Sequence, residues 1–535
     1  MKVLSADQAG SLIEDGDTVV IGGSGGGHSV PDALMAAVER RFLASGHPRQ
    51  ICSFHPVGLG DRVSTGASRF AHPGLLKRII CGALVDSPPI AALAAADEIE
   101  AYTLPQGVLS QLTREIAAGR AGLVTHVGLN TFIDPRHGGG RQSSRAVESL
   151  VELVEIAGRE WMFYKSFKID VAFIRGTTAD EDGNISMEQE AVYGEMLAMA
   201  QAAKNSGGIV IAQVKRLAAR GSIPPKSVKV PGMLVDAVVV VPDQPQTFRT
   251  AYDASYAGEI RVPLATLPRL PLDARKIVAR RCALELRKGS ICNIGSGIST
   301  GLPLVAAEEG ILDDIVLTNE QGIIGGVPVD GDDFGAGRNY SAIVDQPYQF
   351  DFYDGGGIDL AYLSAAEIDR SGNVNVSRFA DRIVGIGGFV NISQSAKKVM
   401  FSGTFTAGGL EVSCANGELR IIREGANRKF VETVKQVSFS GRYSTERKQD
   451  VLFITERAVF RLNDGVVELV EIAKGISLED DVLALMDFKP RLSPSLKHMD
   501  ERLCVDSPMG LSEELSAAER PIHPRLRRVA PAPDC

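Results

Sequence analysis

Asp17-Thr18-Val19-Val20-Ile21-Gly22-Gly23-Ser24-Gly25-Gly26-Gly27, continued by Pro31 to Phe42, carries the architecture in miniature. The β-branched run Thr18–Ile21 suits a strand, and its apolar continuity suits one buried on both faces. The glycines permit a tight turn. Beyond them Leu34, Ala37, Val38 and Phe42 recur at three- and four-residue spacing, which places them on one face of a helix. Pro31 fits the first helical turn, where its missing N–H would have had no partner. Apolar runs at Gly208–Val214, Ala237–Val241, Ile315–Thr318 and Val399–Ser402 read as further buried strands. Strands alternating with helices predict an α/β protein with a mainly parallel sheet.

The chain also repeats itself. Phe163–Met187 aligns with Phe352–Val376 at a constant offset of 189 residues. Phe163/Phe352, Tyr164/Tyr353, Ile169/Ile358, Asp170/Asp359, Ala172/Ala361, Asp180/Asp369, Gly183/Gly372 and Asn184/Asn373 are identical pairs. Gln201, Ala203 and Lys204 match Gln394, Ala396 and Lys397 after a small insertion, and Gly16–Gly22 resembles Gly289–Gly295. The repeat predicts two related open α/β domains, 1–260 and 276–515. A Pro-rich linker is expected at 261–275 and a disordered tail at 516–535. A duplicated enzyme is expected to place its site at the seam.

Composition excludes several classes. The 535 residues carry 57 Lys+Arg against 66 Asp+Glu, a net charge of -9, with no basic block, so nucleic acid is not an expected partner. No apolar run approaches a membrane span, and Asp7 interrupts any signal-like start. Seven scattered cysteines without a CxxC pair fit a reducing cytosol, and no spacing of metal ligands is present. Neither a metal nor a separate cofactor is expected.

Three motifs invite chemistry. Gly22-Gly23-Ser24-Gly25-Gly26 satisfies the GxSxG layout of a nucleophile elbow, but it lies in a glycine-saturated run on the first strand, where the pattern arises by chance. The same loop, like Gly295-Ser296-Gly297, offers backbone N–H groups to an anion or simply makes a tight turn. Neither completes GxGxxG, and GxxxxGK[ST] is absent. Thr318-Asn319-Glu320-Gln321-Gly322-Ile323-Ile324-Gly325-Gly326 differs: a buried strand ends in a carboxylate followed by a glycine-rich apolar loop. At a strand's carboxyl end Glu320 would face a crevice, where desolvation raises its energy as an anion and sharpens it as a nucleophile. Alone, the segment also fits a solvated loop carboxylate.

The longer context resembles one family. Thr318–Gly326, with Val327-Pro328, Phe334–Asn339 and Phe350–Gly357, resembles the active-site segment of family I coenzyme A transferases. So do Tyr102–Gly107, Thr125–Leu129 and Arg175–Asp180. The resemblance runs from about Leu4 to Leu511 and is nearest to single-chain acetate, short-chain acyl and propionate CoA-transferases, in which α- and β-type subunits are fused. It implies the NagB/RpiA/CoA transferase-like fold, CoA as a substrate, and a homo-oligomer, a tetramer.

The resemblance also implies roles. Glu320 is the expected nucleophile, passing through an acyl-glutamyl anhydride and a glutamyl-CoA thioester in ping-pong fashion. The Gln106 side chain and the Gly388 backbone N–H are the expected oxyanion donors. Gly385, Gly387 and Gly403 are expected beside CoA. His28, His55 and His126 either bound the carboxylate pocket or are structural. Asn319 and Asp330 depart from the usual family residues, and Asp330, Asp332 and Asp333 either repel an anionic substrate or face solvent. An acyl-CoA hydrolase on the same scaffold is the alternative activity.

Overall fold

A computed structural model describes residues 1–379, 382–517 and 525. The first sheet is built by β1 (Lys2–Leu4), β2 (Thr18–Ile21), β3 (Ile51–His55), β4 (Leu76–Cys81), β5 (Glu100–Thr103), β6 (Val171–Arg175), β7 (Ile209–Val214) and β8 (Ala237–Val240). Its spatial order is β1-β8-β7-β6-β2-β3-β4-β5, and every neighbouring pair is parallel. Parallel strands are covered on both faces, so their side chains are almost all apolar: Val20, Ile21, Phe173 and Ile211 have no exposure. Each such side chain contributes about 1.5–3 kcal/mol by leaving water.

The second sheet has ten strands. β9 (Ile291–Ile294), β10 (Val316–Thr318), β11 (Ile323–Ile324), β12 (Ala342–Ile343), β13 (Leu360–Ser364), β14 (Lys398–Ser402) and β15 (Asp450–Ile454) are followed by β16 (Ala458–Asn463), β17 (Val466–Ile472) and β18 (Arg491–His498). The order is β12-β11-β10-β9-β13-β14-β15-β16-β17-β18, with a parallel centre from β10 to β15. The helices that matter for the site are α1 (Asp32–Ser45), α2 (Gln106–Ala117), α3 (Met196–Asn205), α4 (Ala274–Ala283), α5 (Gln346–Asp354) and α6 (Phe389–Ser395). In α1 the buried residues are Leu34, Met35, Ala37 and Val38, with Phe42 packed at the edge of the same core. No described helix is long and apolar enough to cross a membrane.

The internal repeat is visible in three dimensions. The strand pair β2–β6 corresponds to β9–β13, and the glycine after the first strand of each pair donates its N–H across it, Gly22 to Phe173 O and Gly295 to Tyr362 O. Asp170 accepts from Thr18 N as Asp359 accepts from Ile291 N. Asp180 accepts from the backbone of Asp182 and Asn184 and from the Asn184 side chain, and Asp369 does the same with Ser371 and Asn373. Gly183 and Gly372 supply the positive φ (+87° and +73°) that each turn requires. The identity at Phe163-Tyr164 and Phe352-Tyr353 is not part of the correspondence: the first pair lies in a strand, Arg159–Lys165, and the second in α5. A Phe-Tyr pair is compatible with either, and tertiary packing decides.

Because three hydrogen bonds converge on a carboxylate that is nearly inaccessible, Asp369→Ala is expected to lower stability by about 2–3 kcal/mol. A guanidinium-chloride midpoint equal to that of the unmodified chain would refute this. The expected linker contains a short 3-10 turn, Leu264–Thr266, and ends at Asp273, which caps α4 by accepting from Lys276 N. The expected tail lies outside the described residues beyond Ala517, Arg525 excepted.

Candidate active site

β10 ends at Thr318, and the chain then turns sharply through Asn319, Glu320 and Gln321. The turn is held from both sides. Asn319 is fully buried, donating Nδ2 to Gly335 O (2.9 Å) and accepting from Ile323 N at Oδ1 (3.2 Å). From α5, Gln349 donates to Asn319 O (3.1 Å) and to the Tyr353 hydroxyl (2.9 Å). That hydroxyl donates to Thr318 Oγ1 (2.8 Å) and also accepts from Asn293 of β9 (3.2 Å). Gly322 has φ +103°, and a Cβ there would lie 2.0 Å from Val344 O, so only glycine fits.

Glu320 is thus rigid at its backbone and half-buried at its side chain. Oε1 accepts from Gln321 Nε2 (3.3 Å), while Oε2 is inaccessible and has no partner among the described residues. Burial raises its pKa above the usual 4.5, against the opposing pull of its own backbone N–H and of the Gln321 and Asn293 amides. A carboxylate held this way is poorly solvated and reactive toward an electrophile.

The carboxylate opens on a cleft of about 590 Å³, inside the range of about 300–1,000 Å³ typical of small-molecule sites. Gln106, Gly385, Gly387 and Gly388 line the same cleft. A Cβ placed on Gly388 would lie 3.5 Å from Glu320 Cγ, and the Gly388 N–H has no acceptor among the described residues. Gln106, from the first half, opens α2 and is 2% exposed. Its N–H donates to Gly387 O (2.9 Å), and the N–H groups of Ile386 and Gly387 both donate to Gly82 O (2.7 and 2.8 Å). The expected donors and the expected nucleophile therefore meet where the halves are stitched together.

Gly403 lies elsewhere, on a separate cavity of about 10 Å³ that Lys429 also lines. The three histidines are absent from the cleft wall. Burial lowers the pKa of His28, and takes His55 and His126 to about 4, which favours the neutral imidazole in each. His28 Nε2 faces Phe334 O (3.2 Å), His55 Nδ1 the Val57 carbonyl, and His126 Nε2 the Ser395 hydroxyl (3.2 Å). Ser24 is buried and its hydroxyl accepts from Gln321 (3.4 Å), with no histidine bonded to it among the described residues. The elbow-like motif instead makes a close approach between the halves, where a Cβ on Gly26 would lie 2.4 Å from Asp332 O.

The three acids after the loop are each engaged by a neighbour, and Asp330 and Asp332 also line the cleft. Asp330 pairs with Arg275 (2.5 Å) and accepts from Thr300 (2.8 Å), Asp332 lies between Arg62 (3.6 Å) and Arg249 (3.2 Å), and Asp333 accepts from Thr247 and Thr250 (both 2.6 Å). Sequence reading missed the groups that hold the site residues: Asn293, Gln349 and Tyr353 behind Glu320, and Gln346 and Glu195 behind Gln106. Only Tyr353 and Asn293 lay within segments already singled out, Phe350–Gly357 and Gly289–Gly295. Among the described residues no group of three or more His, Cys, Asp or Glu is placed to hold a metal ion.

Comparison with known proteins matches this geometry to a family. The coenzyme A transferase family model covers residues 3–241. The chain is 45% identical to acetate CoA-transferase YdiF of Escherichia coli O157:H7, over 95% of this chain and 96% of that protein. The chain belongs to the coenzyme A transferase family. The transferase is also 44% identical to caffeate CoA-transferase of Acetobacterium woodii, across 95% of this chain and 98% of that one. The crystal structure of E. coli O157:H7 YdiF as a thioester complex with CoA superposes with a TM-score of 0.91 at 44% identity, covering 95% and 97% of the two chains.

Proposed function

We propose that this transferase moves CoA between short-chain carboxylates, acetate among them, by a ping-pong reaction on Glu320. The observation that carries the reading is a desolvated Glu320, its Oε2 without a partner among the described residues, its side chain packed against Gly388, whose N–H has no acceptor among them. Glu320 attacks the acyl-CoA thioester carbonyl and the C–S bond breaks, leaving an acyl-glutamyl anhydride and CoA thiolate. The thiolate attacks the Glu320 carbonyl of that anhydride, releasing the donor acid and leaving a glutamyl-CoA thioester. An incoming carboxylate reverses both steps and departs as the new acyl-CoA.

Every attack places negative charge on a carbonyl oxygen. The Gly388 N–H and an N–H of the Gln106 amide are the donors that meet it, and removing one such donor costs about 10²–10³ in kcat in comparable sites. The thioester energy survives only while water is kept from the anhydride. CoA lies along Gly385–Gly388, which line the cleft that Glu320 opens on. The six described cysteines are free thiols, which suits the reducing cytosol proposed as its compartment. A homotetramer is the proposed assembly, to be read by light scattering.

The test is mass spectrometry of the protein after acetyl-CoA alone, then after acetyl-CoA with propionate, butyrate, acetoacetate or lactate. The expected result is CoA bound covalently to the peptide containing Glu320, discharged to new acyl-CoA on adding an acceptor acid. Free CoA with no new thioester would make the enzyme a hydrolase. A CoA adduct on another residue would overturn the role of Glu320.

A further inference from the structure

Gln106 is asked to present an N–H to the reacting carbonyl, yet a glutamine amide has two ends of opposite polarity. A half-turn about its last bond would replace the donor by a carbonyl and repel the oxyanion. What selects the end is a buried relay. Gln106 Nε2 donates to Gln346 Oε1 (3.1 Å). Gln346 Nε2 in turn donates to Glu195 Oε2 (2.9 Å) and to Ser110 Oγ (3.3 Å). Ser110 Oγ itself donates to the same Glu195 oxygen (2.9 Å). Glu195, Gln346, Ser110 and Gln106 are each no more than 2% exposed, so a broken link is costly to leave unmade.

Polarity runs one way along this chain. Glu195 Oε2 is an acceptor, so the NH₂ end of Gln346 must face it and the carbonyl end must face Gln106. That carbonyl then holds one N–H of Gln106, and the second N–H is the one the oxyanion role calls on. Resting on the oxyanion role given above to Gln106, we propose that Glu195 is a positioning residue which, through Gln346, fixes the donor end of the Gln106 amide toward the acyl oxygen. Burial pushes the Glu195 carboxyl up to about 8. Oε1 has no partner among the described residues and is free to carry the proton, while Oε2 accepts in either state, so the relay keeps its direction.

Steady-state kinetics of Glu195→Met, Glu195→Gln, Gln106→Ala and the Glu195→Met/Gln106→Ala double variant test the relay. Methionine fills the space without an acceptor, so kcat should fall by about 10–100-fold with KM for acetyl-CoA within about twofold. Glutamine keeps an acceptor oxygen and should restore kcat to within about threefold of the unmodified enzyme. If Glu195 acts through Gln106, the double variant is no slower than Gln106→Ala alone. Multiplying losses in the double variant, or an unchanged kcat in Glu195→Met while Gln106→Ala is impaired, would overturn the relay and leave the role of Gln106 standing. An unimpaired Gln106→Ala would remove the oxyanion reading itself. Thermal melts establish that each variant is folded. Should Glu195→Met fail to fold, Gln346→Met cuts the relay one link later and is judged by the same criteria.

Discussion

Glu320→Gln is expected to abolish CoA transfer, with kcat down on the order of 10³-fold or more, in a protein that folds as before. An amide is close in shape to a carboxylate but cannot attack a thioester. Stability should be equal or higher at neutral pH, and the sign follows from the direction of the shift. Burial raises the Glu320 pKa above 4.5, so the fold favours the protonated form. The contribution of this group is fully present below the unfolded-state pKa and is lost as pH rises through the folded-state value. A neutral amide never suffers that loss. Activity runs the opposite way, because only the ionised group attacks. The acid limb of kcat/KM for the unmodified enzyme should therefore lie above pH 4.5, and a limb below it would contradict the desolvated nucleophile. Acetyl transfer measured from pH 4 to 8 for both proteins supplies both readings, and transfer by Glu320→Gln within about tenfold of the unmodified enzyme at any pH would sink the assignment.

Gly322→Ala is expected to damage both stability and rate. Its backbone sits at φ +103°, where a Cβ costs about 1–3 kcal/mol in strain. The added carbon would also lie 2.0 Å from Val344 O and 3.1 Å from Val344 C, which are backbone atoms without a soft rotamer to give way. The combined loss should reach about 3–5 kcal/mol. The turn bearing Glu320 must shift to relieve the contact, and misplacement of about 1 Å can cost 10²-fold in rate. Gly310→Ala is the matched control: φ is +70° there, with nothing within 4 Å of the new carbon, so strain alone remains. Denaturation midpoints and kcat for the two variants should differ sharply. Similar values would mean that the Val344 contact relaxes cheaply.

The alternation of apolar runs with helical spacing made the two-sheet α/β plan legible, because parallel strands buried on both faces must be continuously apolar. The repeat was equally legible where it encodes backbone geometry. Asp180-x-x-Gly183-Asn184 and Asp369-x-x-Gly372-Asn373 recur because the same turn needs the same acceptor, the same positive φ and the same amide. It misled at Phe163-Tyr164 and Phe352-Tyr353, where the residue types suit strand and helix alike. Glu320 stood out through its place at a strand end, and Gln106 and Gly388 through resemblance. Glu195, Gln346, Asn293 and Gln349 did not, because their function lies in hydrogen bonds between residues up to 240 positions apart, such as Gln106 to Gln346. The pairing of Asp330, Asp332 and Asp333 with Arg275, Arg62, Arg249, Thr247 and Thr250 was hidden for the same reason.

The seam at Gly82, Gln106 and Gly387 bears on when the enzyme becomes active as the chain is made. Gly82 and Gln106 emerge early in synthesis and can settle into the first sheet with its own core, while Gly387 and Gly388 follow some 280 residues later. Contacts of such long sequence separation are slow to form and close after the local ones. A nascent chain that has already buried its first sheet still lacks the Gly387–Gly388 wall of the cleft. Catalytic competence therefore arrives late, as the second half docks and its glycine loop reaches the Gly82 carbonyl. By the same order in reverse, activity is expected to be lost on mild denaturation before either sheet opens.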